Sequence, residues 1–293
     1  MVKEPISQFY YSHRLKLHFW DWGGAAGGDG GSKPVLVLVH GARDHARSWD
    51  RVAEAFAADF RVIAPDLRGH GDSDWATGAM YGTAEYILDL AALVDILGGG
   101  PCHLVGHSMG AAAALQYAGI YPGRVARLVA IEGFSPPPHL AAPKPLRERL
   151  RNWIEGVREC ERRTPHRYPG LGSACERMMK ENPYLAPETA RHLTLHGSNW
   201  NPDGTLTWKF DSYMRAPSPY SFRMDDAMEI WRGIRCPVLL FRGLDSWSED
   251  PAKAGRIQAI ADYRLIEVPT AGHWVHHDQP EVVIDAMRRF FGE

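Results

Sequence analysis

Hydrophobic and polar positions follow a repeating order along the chain. Residues 9–22 (FYYSHRLKLHFWDW) alternate and are rich in aromatics, which predicts an early strand or hairpin arm. Residues 23–31 hold six glycines and no large side chain, and predict a flexible surface turn. Val35–Val39 is a continuous apolar run of five, the pattern of a strand buried on both faces. A helical pattern follows over Ala46–Ala58, then a short strand at Arg61–Ala64 that ends in Pro65-Asp66. Over Ala84–Leu97, Tyr86, Ile87, Leu90, Leu93, Val94 and Leu97 share one helical face, closed by three glycines. Strand His103–Gly106, helix Met109–Ile120 and strand Arg127–Ile131 continue the alternation. Strand and helix in turn predict a mostly parallel sheet with helices on both faces.

The rhythm breaks at Pro136-Pro137-Pro138, and from there to about Phe222 the pattern is helical with no buried strand. Pro145–Arg163 is amphipathic, with Leu146, Leu150, Trp153, Ile154 and Val157 on one stripe and arginines elsewhere. Shorter helical pieces follow Ser173 and Pro187. The earlier rhythm then resumes with strand Pro237–Phe241, helix Pro251–Ala261, strand Tyr263–Val268 and helix Pro280–Phe291. The division expected is a core of residues 1–134 and 226–293 carrying an inserted helical cap, 135–225. An insertion after a strand's carboxyl end lies over the edge where such sheets bind ligands.

Composition narrows the partners. The 293 residues carry 33 Lys+Arg against 35 Asp+Glu, a net charge of −2, so no general basic field exists to hold nucleic acid or an anionic membrane. No apolar run is long enough to span a bilayer, and the first residues lack the apolar region of a signal peptide. Cys102, Cys160, Cys175 and Cys236 have neither Cys-x-x-Cys nor zinc-ligand spacing, and read as reduced thiols of a cytoplasmic protein. Ten tryptophans are more than a core requires and point to an aromatic-lined cavity.

The chemistry centres on Gly106-His107-Ser108-Met109-Gly110, a G-x-S-x-G motif placed between an apolar strand and a helix. The sharp strand-to-helix turn lifts the Ser108 hydroxyl to the strand's carboxyl end, with a helix N-terminus behind it that favours developing negative charge. Such a hydroxyl needs a base. Ala271-Gly272-His273-Trp274 follows the last strand and offers His273. His276 and His277 read as surface residues. The His273/His276/His277 cluster is not read as a metal site, because no carboxylate or cysteine with ligand spacing lies nearby. Two acids follow strands and precede the histidine, Glu132 and Asp245, and either satisfies the order Ser, acid, His. Asp66–Ser73 reads as a structural polar turn in which Arg68 and His70 bond backbone. The aromatics Trp153, Trp200 and Trp208 belong to the cap.

These pieces, with His40-Gly41 after the first buried strand and Asp66-Leu67-Arg68-Gly69-His70-Gly71-Asp72-Ser73, resemble the α/β-hydrolase superfamily in its cap-bearing, esterase and haloalkane-dehalogenase-like branch. The resemblance implies the α/β-hydrolase fold, a mostly parallel eight-stranded sheet with helices on both faces and a helical cap. It implies an oxyanion hole from the backbone N–H groups of Ala42 and Met109. Most members carry their acid where this chain has Ser246, one residue after Asp245. A subgroup instead uses a glutamate directly after the sixth strand, the position of Glu132. This favours Glu132 narrowly, with Asp245 as the alternative acid. The pocket would be lined by His40, Arg43, Phe134, Trp247 and Trp274. The dehalogenase branch uses an aspartate where this chain has Ser108, so the activity implied is hydrolysis of a carboxylic ester or lactone through an acyl-enzyme. The alternatives are carbon–carbon bond hydrolysis, acyl transfer and non-catalytic ligand binding. No cofactor, metal, nucleic acid or membrane is expected, and the state is a monomer or homodimer.

Overall fold

Two residues set the first turn. His13 and Arg14 both lie in the left-handed region (φ 45° and 71°), the twist that joins two antiparallel strands tightly. They connect β1 (Ile6–Ser12) to β2 (Leu15–Asp21), so the aromatic N-terminal stretch is a complete hairpin. The computed structural model describes residues 4–23, 33–78, 81–134, 144–216, 218–220 and 223–293. The glycine-rich turn and the Pro136–Pro138 break fall outside the described residues.

Strands β3 (Val35–Val39), β4 (Arg61–Pro65), β5 (Cys102–His107), β6 (Val125–Ile131), β9 (Val238–Gly243) and β10 (Tyr263–Val268) complete an eight-stranded sheet. Its order is β1-β2-β4-β3-β5-β6-β9-β10, antiparallel at the hairpin and at β2–β4 and parallel elsewhere. The apolar runs read as doubly buried strands are so for a simple reason: successive side chains enter different cores. Val37 and Val39 pack with α2 (Thr83–Ile96), α3 (Met109–Ile120) and α7 (Met224–Trp231). Leu36 and Leu38 pack on the opposite face with α1 (Asp50–Phe56) and α9 (Pro280–Gly292). This is the α/β-hydrolase fold. The helix expected over Pro251–Ala261 does not form. Gly255 (φ 71°) interrupts it, and only a 3-10 turn at Ile257–Ala259 remains.

Between β6 and α7 the described residues form α4 (Leu146–Arg162), α5 (Leu171–Glu181) and α6 (Pro187–His196), together with a small hairpin of β7 (Ser198–Trp200) and β8 (Leu206–Trp208) that periodicity did not reveal. Tyr168, Ala174 and Leu206 form one small core there, with Trp208 against Tyr168. Leu185, Ala190 and Leu193 form another, into which Trp274 reaches. The apolar stripe of α4 is only partly covered: Leu146 and Ile154 are exposed, and Cys160 alone is buried on that helix.

Backbone and side-chain bonds fasten this segment to the sheet's carboxyl-end loops. His45 Nε2 donates to Leu193 O (3.0 Å), Asp211 N to Gly69 O (2.8 Å) and Asn182 Nδ2 to Asp278 Oδ1 (3.1 Å). His192 on α6 lies 3.2 Å from Asp50 on α1. The hydrogen bond that His192 donates to the Asp50 carboxylate raises the His192 pKa above its usual value. A raised histidine pKa stabilises the folded state below the unfolded value and loses that contribution as pH rises through the folded value. His192→Asn is therefore expected to lower Tm below about pH 6, where free histidine is charged, and to make little difference in alkali. The effect is small, at most about 1 kcal/mol, because 37% of the His192 side chain is open to solvent. Thermal melts of both proteins across pH check this, and a difference that grows with pH contradicts it.

Candidate active site

The turn from β5 to α3 is possible only with glycine at two places. A β-carbon on Gly106 would come within 2.6 Å of Ala111 N, and one on Gly110 within 2.4 Å of the Val39 and His40 carbonyl oxygens. Both obstacles are backbone, so neither can step aside. Gly110→Ala is expected to cost about 1–3 kcal/mol, the usual penalty for overpacking, read as a lower urea midpoint. Ser108 itself sits at φ 52° and ψ −116°, a sparsely populated conformation held by the packing around it. Its hydroxyl is thereby presented at the end of β5, ahead of α3.

Ser108 Oγ is 2.8 Å from His273 Nε2. His273 comes from the loop after β10, and its ring faces Trp247 at 4.5 Å between centroids. Glu132, directly after β6, is fully buried, and its Oε2 lies 3.4 Å from His273 Nδ1. Such contacts are commonly long before substrate arrives. A strained turn aims the carboxylate, since Glu132 and Gly133 both have positive φ (57° and 84°). Glu132 Oε1 accepts Gly243 N–H (2.9 Å), and Oε2 accepts the Ser246 hydroxyl (3.1 Å). Ser246 thus occupies the position where most of the resembled family carries an acid, and supports Glu132 with a hydrogen bond. Asp245 is exposed and is not brought to His273. Its N–H bonds Ala271 O (3.0 Å), and its carboxylate accepts from Tyr184, whose pKa that bond raises.

The Gly41–Ala42 turn lies against the serine, because a β-carbon on Gly41 would sit 3.2 Å from Ser108 Cβ. Met109 is the first residue of α3, so its N–H has no carbonyl partner within the helix. His40 does not line a pocket. It is fully buried, its Nδ1 donates to Gly41 O (2.7 Å), and its Nε2 accepts Leu67 N–H (3.0 Å). Burial holds its pKa down to about 3, so it shapes this loop as a neutral ring. Phe134 is likewise a fully buried core residue rather than a pocket wall. Arg43 is exposed (φ 61°), with its N–H on His70 Nε2 (3.0 Å). Trp247 is half exposed, with its ring against that of His273. In the polar turn His70 bonds backbone as expected, and Arg68 pairs with both Asp89 oxygens (2.6 and 2.7 Å).

Two further residues act on the site. His107, the variable residue before the serine, donates Nε2–H to His273 O at 2.9 Å. Asp278 Oδ2 accepts Gly272 N–H at 2.8 Å. His107 lay inside the motif, and only its contact with the distant loop gives it a role. His276 is not a surface residue: it is 2% exposed and stacks on Trp49 at 4.5 Å, because α8 (Val275–Asp278) turns it inward. Burial, then neighbouring imidazoles, keeps the pKa of both His107 and His276 well below the usual value.

Sheet order, elbow and histidine loop together define an α/β-hydrolase. Residues 36–286 match the alpha/beta hydrolase family, and the chain belongs to it. Among curated proteins it is 29% identical to the 2-(acetamidomethylene)succinate hydrolase of Mesorhizobium japonicum over 265 residues, 89% of this chain and 88% of that one. It is 28% identical to the sn-1-specific diacylglycerol lipase ABHD11 of Mus musculus over 276 residues, 88% of this chain and 80% of the lipase. A solved E-2-(acetamidomethylene)succinate hydrolase superposes with a TM-score of 0.77 at 26% identity, covering 99% of this chain and 100% of that structure. Among the described residues no helix is long and apolar enough to cross a membrane.

Proposed function

We propose that the protein is a serine hydrolase that cleaves a carboxylic ester or lactone through an acyl-enzyme. The observation that carries this reading is the line from Ser108 Oγ to His273 Nε2 at 2.8 Å and on from His273 Nδ1 to Glu132 Oε2 at 3.4 Å. Ser108 Oγ attacks the substrate carbonyl carbon while His273 Nε2 takes its proton. The N–H groups of Ala42 and Met109 receive the negative oxygen. His273 returns the proton to the leaving alkoxide, which departs as an alcohol. In a lactone it stays attached to the acyl chain. Water, deprotonated by His273, then attacks the acyl carbon, and His273 returns that proton to Ser108 Oγ as the acid is released. Glu132 holds the Nδ1–H tautomer and stabilises the imidazolium. Relatives whose names describe a hydrolase and a lipase support acyl chemistry of this kind.

The test is intact-mass analysis after treatment with a fluorophosphonate, with Ser108→Ala in parallel. One adduct on the wild type and none on the variant supports an activated Ser108, and a panel of esters, lactones and diketones then separates the substrate classes. Added alcohols distinguish hydrolysis from acyl transfer. A folded wild type that takes no adduct overturns the reading in favour of ligand binding.

A further inference from the structure

Behind the catalytic histidine, three side chains from distant parts of the chain meet, each with a polar atom left without a partner. Asp44 follows β3, His107 ends β5 and His276 lies on α8. They are 8%, 1% and 2% exposed, and one donor atom from each lies within 4.8 Å of the other two. Asp44 Oδ2, His107 Nδ1 and both ring nitrogens of His276 have no hydrogen-bond partner among the described residues. An unsatisfied buried polar atom is costly, and native structures tolerate few. Three in one place, one from each residue, call for a guest that supplies the missing bonds.

The donor types identify that guest. Two imidazoles and a carboxylate are the ligand set of borderline divalent transition metals, with zinc foremost. His107 is already oriented for the role. Its Nε2 donates to the carbonyl of His273, so the lone pair is on Nδ1, and a backbone acceptor on the far nitrogen is the usual support of a metal-binding histidine. Burial keeps both rings neutral, the form that ligates. Ala42 and Arg43, immediately before Asp44, are exposed, so the cluster lies close to the surface along the chain.

We propose that Asp44, His107 and His276 bind one divalent transition-metal ion, and that filling this site inhibits the enzyme. Metal–ligand bonds of about 2.0–2.2 Å require the three donors to draw together. That movement turns the His107 ring, which holds the His273 backbone and immediately precedes Ser108. The inhibition rests on the function proposed above, whereas the binding does not.

Binding is therefore measured directly. Metal-free protein is titrated with Zn2+ by calorimetry and with Co2+ by visible absorption, using wild type, His276→Gln, Asp44→Asn and Ser108→Ala. His192→Asn serves as a control, because Asp50, His192 and His196 form a second, more open group of possible ligands. One ion per chain is expected on wild type, Ser108→Ala and His192→Asn, with a cobalt band typical of low coordination. Kd is expected to rise at least tenfold in His276→Gln and Asp44→Asn, and Zn2+ inhibition of wild type to be relieved in both. If His276→Gln fails to melt cooperatively, Asp44→Asn carries the comparison. No binding to wild type, binding indifferent to both variants, or binding lost in His192→Asn each overturns the proposal. A protein that binds the ion but shows no fluorophosphonate adduct keeps the metal site and loses the proposed function.

Discussion

Ser108→Ala is expected to lower kcat by roughly a million-fold, the scale on which a hydrolase loses its nucleophile, and to leave folding intact. The two halves of this expectation have separate causes. The hydroxyl alone forms the covalent bond, and no other described hydroxyl lies at 2.8 Å from His273 Nε2. The strain belongs to the backbone. Alanine keeps the β-carbon that makes φ 52° unfavourable, so the variant inherits the same elbow and the same cost. Ser108→Gly removes that carbon and is expected to be the more stable of the two inactive proteins, by about 1 kcal/mol or more. Turnover of a responsive ester and urea unfolding of all three proteins check both halves. Undiminished turnover in Ser108→Ala removes the serine from the mechanism.

Glu132→Gln is expected to lower kcat about ten-thousand-fold, and Asp245→Asn to change it little. The hydrogen bonds explain the size of the first effect. Oε1 takes the Gly243 N–H, so a glutamine would place its carbonyl oxygen there and turn its amide NH2 toward Ser246 and His273. An amide donor at Nδ1 selects the tautomer with its proton on Nε2, which cannot accept from Ser108. The exposed Asp245 has no such hold on the ring. Steady-state rates of both variants decide the matter, and the opposite ranking transfers the acid role to Asp245.

Much of the scaffold was legible because its causes are local. The apolar runs at β3 and β5 and the stripe of α2 follow from side-chain period, and Met109–Ile120 and Tyr263–Val268 were placed to the residue. Local pattern misled where a breaker outweighed it, as at Gly255. It was silent on the β7–β8 hairpin, whose strands have three residues each.

By itself the sequence determined that this chain builds a mostly parallel sheet with an elbow at Ser108, since period, glycines and turn residues act over a few neighbours. Only the tertiary structure decided what lies beside His273. Glu132 and Asp245 both follow strands and both precede the histidine, so chain order could not separate them. The left-handed turn at Glu132-Gly133 swings one carboxylate inward, while Asp245 stays in solvent against Tyr184. Tertiary packing also made His276 a buried residue. Its neighbours Asp44, Trp49 and His107 come from other elements, and contacts between strand ends leave no periodic trace in the sequence.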